Sequence, residues 1–184
     1  MTIRPYNEKD KENVRYICLN SDGPCDADEN GQHFLLTTYC DYYIEKEPHN
    51  CFVLADDSDR AVGYILCARD FTPFWNTFLQ EYMPRLAYNP AACRDAENST
   101  VLHRQFKDEY PAHLHIDLLP EAQGHGYGPQ LMETLFSHLR KQNCRGIMWC
   151  VWEQNERAQR FYERQGFTCI GKDGTNIAYG TREI

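Results

Sequence analysis

Residues 118–128 read Leu-Leu-Pro-Glu-Ala-Gln-Gly-His-Gly-Tyr-Gly and carry more structural information than any other stretch of the chain. The alternating apolar residues Leu114, Ile116 and Leu118 predict a strand that leads into this stretch, and an amphipathic helix is predicted to follow the stretch. The glycines at 124, 126 and 128 remove three Cβ atoms, so consecutive N–H groups of the turn can point into one concave space. The helix N-terminus adds partial positive charge. The stretch therefore predicts a strand–turn–helix unit that binds phosphate oxygens.

Two common phosphate-binding motifs fit these glycines poorly. A dinucleotide-binding turn has its third glycine where this chain has Pro129, although Glu153 suits the ribose-binding acid of that fold. A Walker loop needs a Lys-Ser or Lys-Thr pair after its glycines, and none follows here. The pattern Gln123-x-x-Gly126-x-Gly128 instead resembles the pyrophosphate loop of the GNAT acetyltransferases, which binds acetyl-coenzyme A between a strand and a helix.

This resemblance implies that acetyl-coenzyme A, as the acyl-donor substrate, contacts the strand end, the loop and the first helical turn. The implied contact residues are Leu118, Leu119, Gln123, Gly124, His125, Gly126, Tyr127, Gly128 and Pro129. Because such a loop binds phosphate through backbone amides, the side chain of His125 is expected to face solvent. Pro129 lies near the first helical position, where a missing N–H costs nothing.

Residues 155–167 form a second signature, Asn-Glu-Arg-Ala-Gln-Arg-Phe-Tyr-Glu-Arg-Gln-Gly-Phe. Asn155 is a suitable N-cap, and Gly166 is suited to close the last turn of the helix. Ala158, Phe161 and Tyr162 share one helical face. The stretch is similar to the other GNAT signature, which implies that Asn155, Ala158, Phe161 and Tyr162 contact the coenzyme. The family position of Tyr162 lies beside the coenzyme sulfur, where a phenol can protonate the departing thiolate.

The resemblance implies a single α/β (α+β) domain over residues 1–184. Its central sheet is expected to be mixed, mostly antiparallel, with six to seven strands flanked by helices, and splayed between the fourth and fifth strands. The acceptor-side half is expected at about 1–112, and the coenzyme-binding half at about 113–184. The predicted strands are 2–6, 51–55, 61–68, 113–119, 147–152, 168–171 and 176–181, and the predicted helices include 10–19, 31–45 and 129–142.

Residues 69–112 exceed what a minimal fold of this kind needs. Apolar residues at 71, 74, 75, 78, 79 and 82 have helical spacing and predict one helix in this insertion. Two interpretations remain open at this point: the aromatic residues pack against the sheet, or they form part of the wall around the acceptor.

The candidate general bases lie on the strand that enters the loop. His113, His115 and Asp117 alternate with apolar residues and therefore share one face. Asp117 is the first candidate and His115 the second, although a paired structural Asp is a competing interpretation. Cys150 is expected near the coenzyme cleft, but no histidine or acid lies beside it in the sequence. A small buried cysteine is the expected role there.

The bulk composition agrees with one cytoplasmic domain. The chain is 42 % hydrophobic and 25 % charged, and no long apolar run or signal pattern is seen. The nine cysteines include no C-x-x-C pair, and most of them, such as Cys51, Cys67, Cys150 and Cys169, lie in apolar runs. These are expected to be buried and reduced, with no metal site. The formal charge of −8 argues against nucleic-acid binding, and no membrane partner is expected.

The predicted function is an N-acetyltransferase that moves an acetyl group to a primary amine by direct attack in a ternary complex. The amine-bearing acceptor stays unidentified, and a monomer and a homodimer are equally compatible with the sequence. Residues 113–124, His-Leu-His-Ile-Asp-Leu-Leu-Pro-Glu-Ala-Gln-Gly, and the helix around 37–43 also resemble the acetyltransferase-like domain that accompanies O-GlcNAc hydrolases. Some domains of that kind lack coenzyme binding, so a non-catalytic binding module with the same fold is the alternative.

Overall fold

Seven strands form one mixed sheet in the computed structural model, which describes residues 1–184. The strands are β1 (Thr2–Pro5), β2 (Phe52–Ala55), β3 (Ala61–Ala68), β4 (Ala112–Leu118), β5 (Ile147–Trp152), β6 (Thr168–Asp173) and β7 (Asn176–Thr181). Their order across the sheet is β1-β2-β3-β4-β5-β7-β6, and every neighbouring pair except β4 and β5 is antiparallel. The predicted mixed, mostly antiparallel sheet is confirmed.

Strands β4 and β5 separate soon after they meet. Their parallel pairing is limited to Ala112 opposite Ile147 and His113 opposite Met148. Both strands continue beyond this point, β4 to Leu118 and β5 to Trp152, while each stays paired with its other neighbour. The predicted splay between the fourth and fifth strands is therefore present, and it opens a cleft inside the sheet.

Eight α-helices flank the sheet. They are α1 (Lys11–Asn20), α2 (Glu29–Leu36), α3 (Tyr42–Lys46), α4 (Phe71–Thr77), α5 (Pro90–Asn98), α6 (Val101–Phe106), α7 (Tyr127–Lys141) and α8 (Glu156–Arg164). The helix predicted over 31–45 begins at Glu29 and contains a π-helical turn at Thr37–Asp41 between α2 and α3. None of the helices combines the length and apolar character needed to cross a bilayer.

The insertion contains several helices, so the prediction of one was incomplete. After α4, a π-helical turn (Phe78–Tyr82) and a 3-10 turn (Met83–Leu86) complete the apolar repeat read from the sequence. Asn89 then caps α5, accepting a hydrogen bond from the Ala91 N–H, and Pro90 occupies its first turn. The i+3 and i+4 spacing predicted the first of these elements well, but it does not distinguish an α-helix from a π-helical turn.

One core of 41 buried residues joins both sides of the sheet. All eight residues of β3 are buried, and Leu131, Leu135 and Leu139 of α7 are fully buried, which confirms the predicted stripe. The register between β2 and β3 shifts by one residue beside Gly63 of β3, and a Cβ atom at Gly63 would meet Leu118 Cδ2 at 2.5 Å.

The predicted burial is confirmed for Cys51 and Cys67, whereas Cys150 is half-buried. The prediction is wrong for Cys169, which is exposed on the edge strand β6. An apolar run predicts burial only where a neighbouring element covers it, and β6 has a strand on one side alone.

Candidate active site

The glycine loop before α7 has the geometry of a phosphate cradle. Gly124 and Gly126 have φ angles of 77° and 79°, in the left-handed region that favours glycine. At Gly128, a Cβ atom would approach the Phe161 ring to 3.0 Å, so only glycine lets α8 pack so closely on the loop. A cavity of about 340 Å³ lies against this loop, and Tyr127 and Pro129 also line it.

Three arginines of α8 complete this cavity, and sequence reasoning missed them. Arg157, Arg160 and Arg164 line the cavity beside the glycines. Their i, i+3 and i+7 spacing places them on one helical face, and this spacing was the available signal. Arg160 Nη1 also binds Glu156 Oε2 at 2.9 Å. Guanidinium groups next to free backbone N–H groups suit a polyphosphate ligand.

Gln123 holds the loop in place rather than presenting a free side chain. Its Nε2 donates to the carbonyl oxygens of Ser21 and Leu118, each at 2.8 Å. Its Oε1 accepts a hydrogen bond of 2.8 Å from Arg157 Nη2. The side chain therefore connects the segment after α1, the end of β4 and the start of α8.

A second cavity of about 370 Å³ occupies the cleft between the diverging strands. The residues of the second signature, Asn155, Ala158, Phe161 and Tyr162, line it together with Leu118 and Gln123. Asn155 Oδ1 caps the start of α8 by accepting a hydrogen bond from the Ala158 N–H at 3.0 Å. Gly166 follows the end of the same helix with a φ angle of 84°. Both capping predictions are confirmed.

Two residues of the predicted coenzyme set lie outside these cavities. Leu119 is 3 % exposed, and its N–H donates to the Val62 carbonyl oxygen at 2.9 Å. The side chain of His125 is exposed, as expected for a loop that works through its backbone. All the other predicted residues line one cavity or both.

Asp117 is the titratable group at the centre of the site. Burial raises its pKa to about 6, against hydrogen bonds from Tyr64 and Ser21 that lower it, while the charge of Asp22 raises it further. The Tyr64 hydroxyl donates to Asp117 Oδ2 at 2.5 Å. A carboxyl group with this pKa is mostly ionised at pH 7 and can still accept a proton.

Tyr162 lies close enough to Asp117 to respond to its charge. Burial and that charge hold the pKa of Tyr162 well above its usual range, so the phenol keeps its proton. The side chain is 3 % exposed and lines the cleft between β4 and β5. A protonated phenol inside this cleft can donate a proton to an anion that forms there.

A third cavity, of about 490 Å³, meets the cleft at Asp117. The residues common to both cavities are Ser21, Asp22, His115, Asp117, Trp149, Cys150 and Trp152. Phe71, Phe74 and Phe78 of the insertion are buried in the core and also line this cavity. The insertion aromatics therefore pack in the core and also line this cavity, and their role in a wall around the acceptor stays a prediction.

The predicted face of β4 is confirmed, since His113, His115 and Asp117 all line the 490 Å³ cavity. His115 Nε2 and the Tyr43 hydroxyl are 3.0 Å apart, and the His115 ring contacts Trp149 edge-on at 4.1 Å between centroids. Burial lowers the pKa values of His113 and His115 well below the usual range, so both imidazoles are neutral.

Cys150 has a histidine partner that the sequence did not reveal. His103 Nδ1 lies 3.7 Å from Cys150 Sγ, although 47 residues separate them. Burial raises the pKa of the Cys150 thiol to about 12 and lowers that of His103 to about 4. Both shifts favour the neutral thiol and the neutral imidazole, so they oppose transfer of the thiol proton to His103. The pair does not form an activated thiolate.

Comparisons with known proteins agree with this geometry. A model of the acetyltransferase (GNAT) family matches residues 13–167. Protein O-GlcNAcase from Rattus norvegicus is 28 % identical over 195 residues, covering 93 % of this chain and 20 % of that protein. The chain therefore spans about a fifth of the length of the curated relatives it matches.

Solved structures give the same result. The crystal structure of SsHAT has a TM-score of 0.88 at 30 % identity, covering 100 % of this chain and 98 % of that one. The PaiA N-acetyltransferase from Thermoplasma acidophilum, crystallised with coenzyme A, has a TM-score of 0.62 at 16 % identity over 98 % of each chain. Since the family model spans most of the sequence and the splayed sheet, glycine loop and α8 signature occur together, this chain belongs to the acetyltransferase (GNAT) family.

Proposed function

We propose that this chain transfers an acetyl group from acetyl-coenzyme A to a primary amine by direct attack within a ternary complex. The observation that carries the proposal is the meeting of two cavities at Asp117. One is the cleft between β4 and β5, which shares Leu118, Gln123 and Phe161 with the glycine-loop cavity. The other enters from the side of the insertion. A donor and an acceptor can therefore reach one carboxyl group from opposite directions.

The glycine loop and α8 suit the donor. Backbone N–H groups at Gly124, Gly126 and Gly128 are left accessible by the missing Cβ atoms, and the α7 N-terminus supplies partial positive charge. Arg157, Arg160 and Arg164 add three cations around the same cavity. In this proposal the pyrophosphate binds to the loop, and the pantetheine arm lies between β4 and β5, where their facing edges are unpaired.

The chemistry needs one base and one acid, and the chain supplies both beside the cleft. Asp117 takes a proton from the bound ammonium, and the resulting amine nitrogen attacks the thioester carbonyl carbon. A C–N bond forms, the C–S bond breaks, and its electron pair leaves on sulfur. Tyr162 protonates that sulfur, and the surplus proton on the new amide nitrogen restores the phenol. Asp117 returns its proton to solvent, so the cycle releases one proton.

Asp117 suits the role of base better than His115 does. The pKa of Asp117 is about 6, so its carboxylate is abundant at neutral pH and still basic. Burial holds the pKa of His115 well below its usual range, and its Nε2 is already hydrogen bonded to Tyr43. We therefore assign His115 a positioning role in the wall of the acceptor cavity.

Calorimetry with acetyl-coenzyme A tests the donor half of the proposal. Gly126→Glu fills the cradle and adds a negative charge, so micromolar binding is expected to be lost in this variant. Gly174→Glu is the matched control, because Gly174 also has a positive φ angle but lies in the β6–β7 turn. No binding by the unmodified protein contradicts the proposal and leaves a non-catalytic module with this fold.

Steady-state kinetics with an amine acceptor test the chemical half. Direct attack in a ternary complex predicts intersecting initial-velocity lines, whereas an acyl-cysteine route predicts parallel ones. Tyr162→Phe is expected to lower kcat roughly a hundredfold or more, the usual contribution of one positioned proton donor, while coenzyme affinity is retained. Parallel lines, or an unchanged kcat in Tyr162→Phe, contradict the proposed mechanism.

A further inference from the structure

The 490 Å³ cavity has acidic walls and no basic ones. Asp22, Asp95 and Asp117 line it, and no lysine or arginine does. Asp22 and Asp95 are exposed toward its mouth, and Asp117 lies further in, on β4. A ligand that carries a carboxylate or phosphate meets only negative charge here, whereas an ammonium group is attracted along its whole path.

The deep end of the cavity has polar atoms that the protein does not pair. His113 is 2 % exposed, and neither of its ring nitrogens has a hydrogen-bond partner. His103 Nε2 is also buried without a partner. A neutral imidazole offers one N–H donor and one nitrogen acceptor, and buried polar groups are normally paired. Two such rings lining one cavity indicate that a bound molecule supplies the missing partners.

The space between the two ends is lined by aromatic rings. His115 lies between His113 and Asp117 on the same face of β4, edge-on to Trp149 and 5.3 Å from the Tyr39 ring centroid. The rings of Phe71 and Phe74 flank His113 itself. These surfaces suit the faces and edges of an aromatic ring.

The spacing along β4 sets the length of the ligand. Residues of a strand rise by about 3.3 Å, so His113 and Asp117, which point the same way, are separated by about 13 Å. Hydrogen bonds of about 2.8 Å at both ends leave about 8 Å between the terminal heteroatoms of the ligand. A six-membered ring with a hydroxyl group at one end and a two-carbon amine chain at the other has this length.

We infer that the acceptor is a small arylalkylamine with an uncharged hydrogen-bonding group on its ring and no anionic group. Its amine lies at Asp117, its ring crosses His115, and its ring substituent pairs with His113 and His103. The inference rests on the proposed function, because it names the substrate class of the same site.

A three-compound series tests this without any mutation. Tyramine has the amine, the ring and the hydroxyl group; phenethylamine lacks the hydroxyl group; tyrosine adds a carboxylate next to the amine. Tyramine is expected to exceed phenethylamine in kcat/KM by roughly ten- to a hundredfold, since the analogue leaves buried imidazoles unpaired. Tyrosine is expected to be poorer still. Putrescine, a diamine without a ring, is expected to be a poor acceptor.

His113→Phe locates the hydrogen-bonding end. Phenylalanine has a similar ring without polar atoms, so the tenfold or larger preference for tyramine over phenethylamine is expected to fall to about onefold. Asp95→Asn is the matched control, since loss of this acid is expected to raise KM for both amines equally. His103→Phe provides a second test if His113→Phe does not fold, as judged by its melting temperature.

The outcomes separate the two proposals. Calorimetric binding of acetyl-coenzyme A together with a preference for tyrosine, putrescine or phenethylamine overturns the inference and leaves the acetyltransferase proposal intact. Acetyl-coenzyme A binding with no tyramine turnover, and no tyramine binding to the protein–coenzyme A complex, also overturns it. Failure to bind acetyl-coenzyme A contradicts the proposed function itself. A preference for tyramine that survives in His113→Phe overturns the assignment of its ring substituent to His113.

Discussion

Replacing Asp117 by asparagine is expected to stabilise the protein at neutral pH and, on the proposed function, to remove the general base. Burial raises the pKa of this carboxyl group from 3.8 to about 6, so the folded protein holds its proton more tightly than the unfolded chain does. Between these two values the folded state binds more protons, and stability therefore falls as pH rises through this window. Asparagine keeps a hydrogen-bond acceptor for Tyr64 and has no charge to bury.

The magnitude follows from the size of the shift. A pKa difference of about 2.2 lowers the free energy of unfolding by about 3 kcal/mol above pH 7, relative to a protonated Asp117. At pH 4.5 this decrease is only about 1 kcal/mol. The stability advantage of Asp117→Asn over the parent protein is therefore expected to grow by about 2 kcal/mol between pH 4.5 and pH 7.5.

Urea denaturation of both proteins at pH 4.5 and pH 7.5 measures this difference. Asp108→Asn is the matched control, because the Asp108 side chain is 88 % exposed, and its stability difference is expected to be the same at both pH values. A stability difference for Asp117→Asn that does not change with pH, or one that turns unfavourable at pH 7.5, refutes the reasoning. In that case hydrogen bonds from its partners stabilise the ionised Asp117 carboxylate, and Asp117 is a structural residue.

Three further predictions concern the loop, α8 and the cysteines. Gly128→Val places a side chain against Phe161, so the free energy of unfolding in urea is expected to fall by about 1–3 kcal/mol. Acetyl-coenzyme A binding is expected to weaken at least tenfold, and unchanged affinity contradicts the close packing. Arg164→Ala is expected to weaken that binding about two- to tenfold at low salt, with the difference shrinking at high salt; a salt-independent loss argues against a phosphate contact. Cys169 is expected to react first with a thiol reagent under native conditions, so that Cys169→Ser removes the fast phase, whereas Cys150, with a thiol pKa of about 12, reacts slowly.

The features that could be predicted from the sequence are those that depend on residues close together in the chain. The glycines at 124, 126 and 128 encode the loop because positive φ angles and close packing are local requirements. Asn155 and Gly166 encode the ends of α8 in the same way, and alternation along β4 places His113 and Asp117 on one face. The family resemblance then implied the splay, which no local pattern contains.

The 490 Å³ cavity could not be predicted because its walls come from distant segments. His103 Nδ1 and Cys150 Sγ are 3.7 Å apart although 47 residues separate them, and no pattern in the sequence predicts that contact. Burial raises the pKa of Asp117, and the hydrogen bond from Tyr64 of a neighbouring strand opposes that rise; both depend on the folded sheet. Cys169 was misassigned because its apolar run lies on an edge strand, and strand order is a property of the whole sheet. The spacing of the arginines in α8 places them on one helical face. Because charged residues on a helix normally face solvent, this spacing alone did not indicate a binding role.

The bridge formed by Gln123 links the glycine loop to a segment that both larger cavities share. Its amide donates to the Ser21 carbonyl oxygen, and Ser21 and Asp22 line the 490 Å³ cavity as well as the cleft. On the proposed function, a donor that orders the glycine loop also orders this segment, so the acceptor no longer bears that entropic cost when it binds. Coupling of this kind is reciprocal: each substrate increases the affinity for the other by the same factor. On the proposed function, the chain is thus built to favour the loaded ternary complex over either binary one.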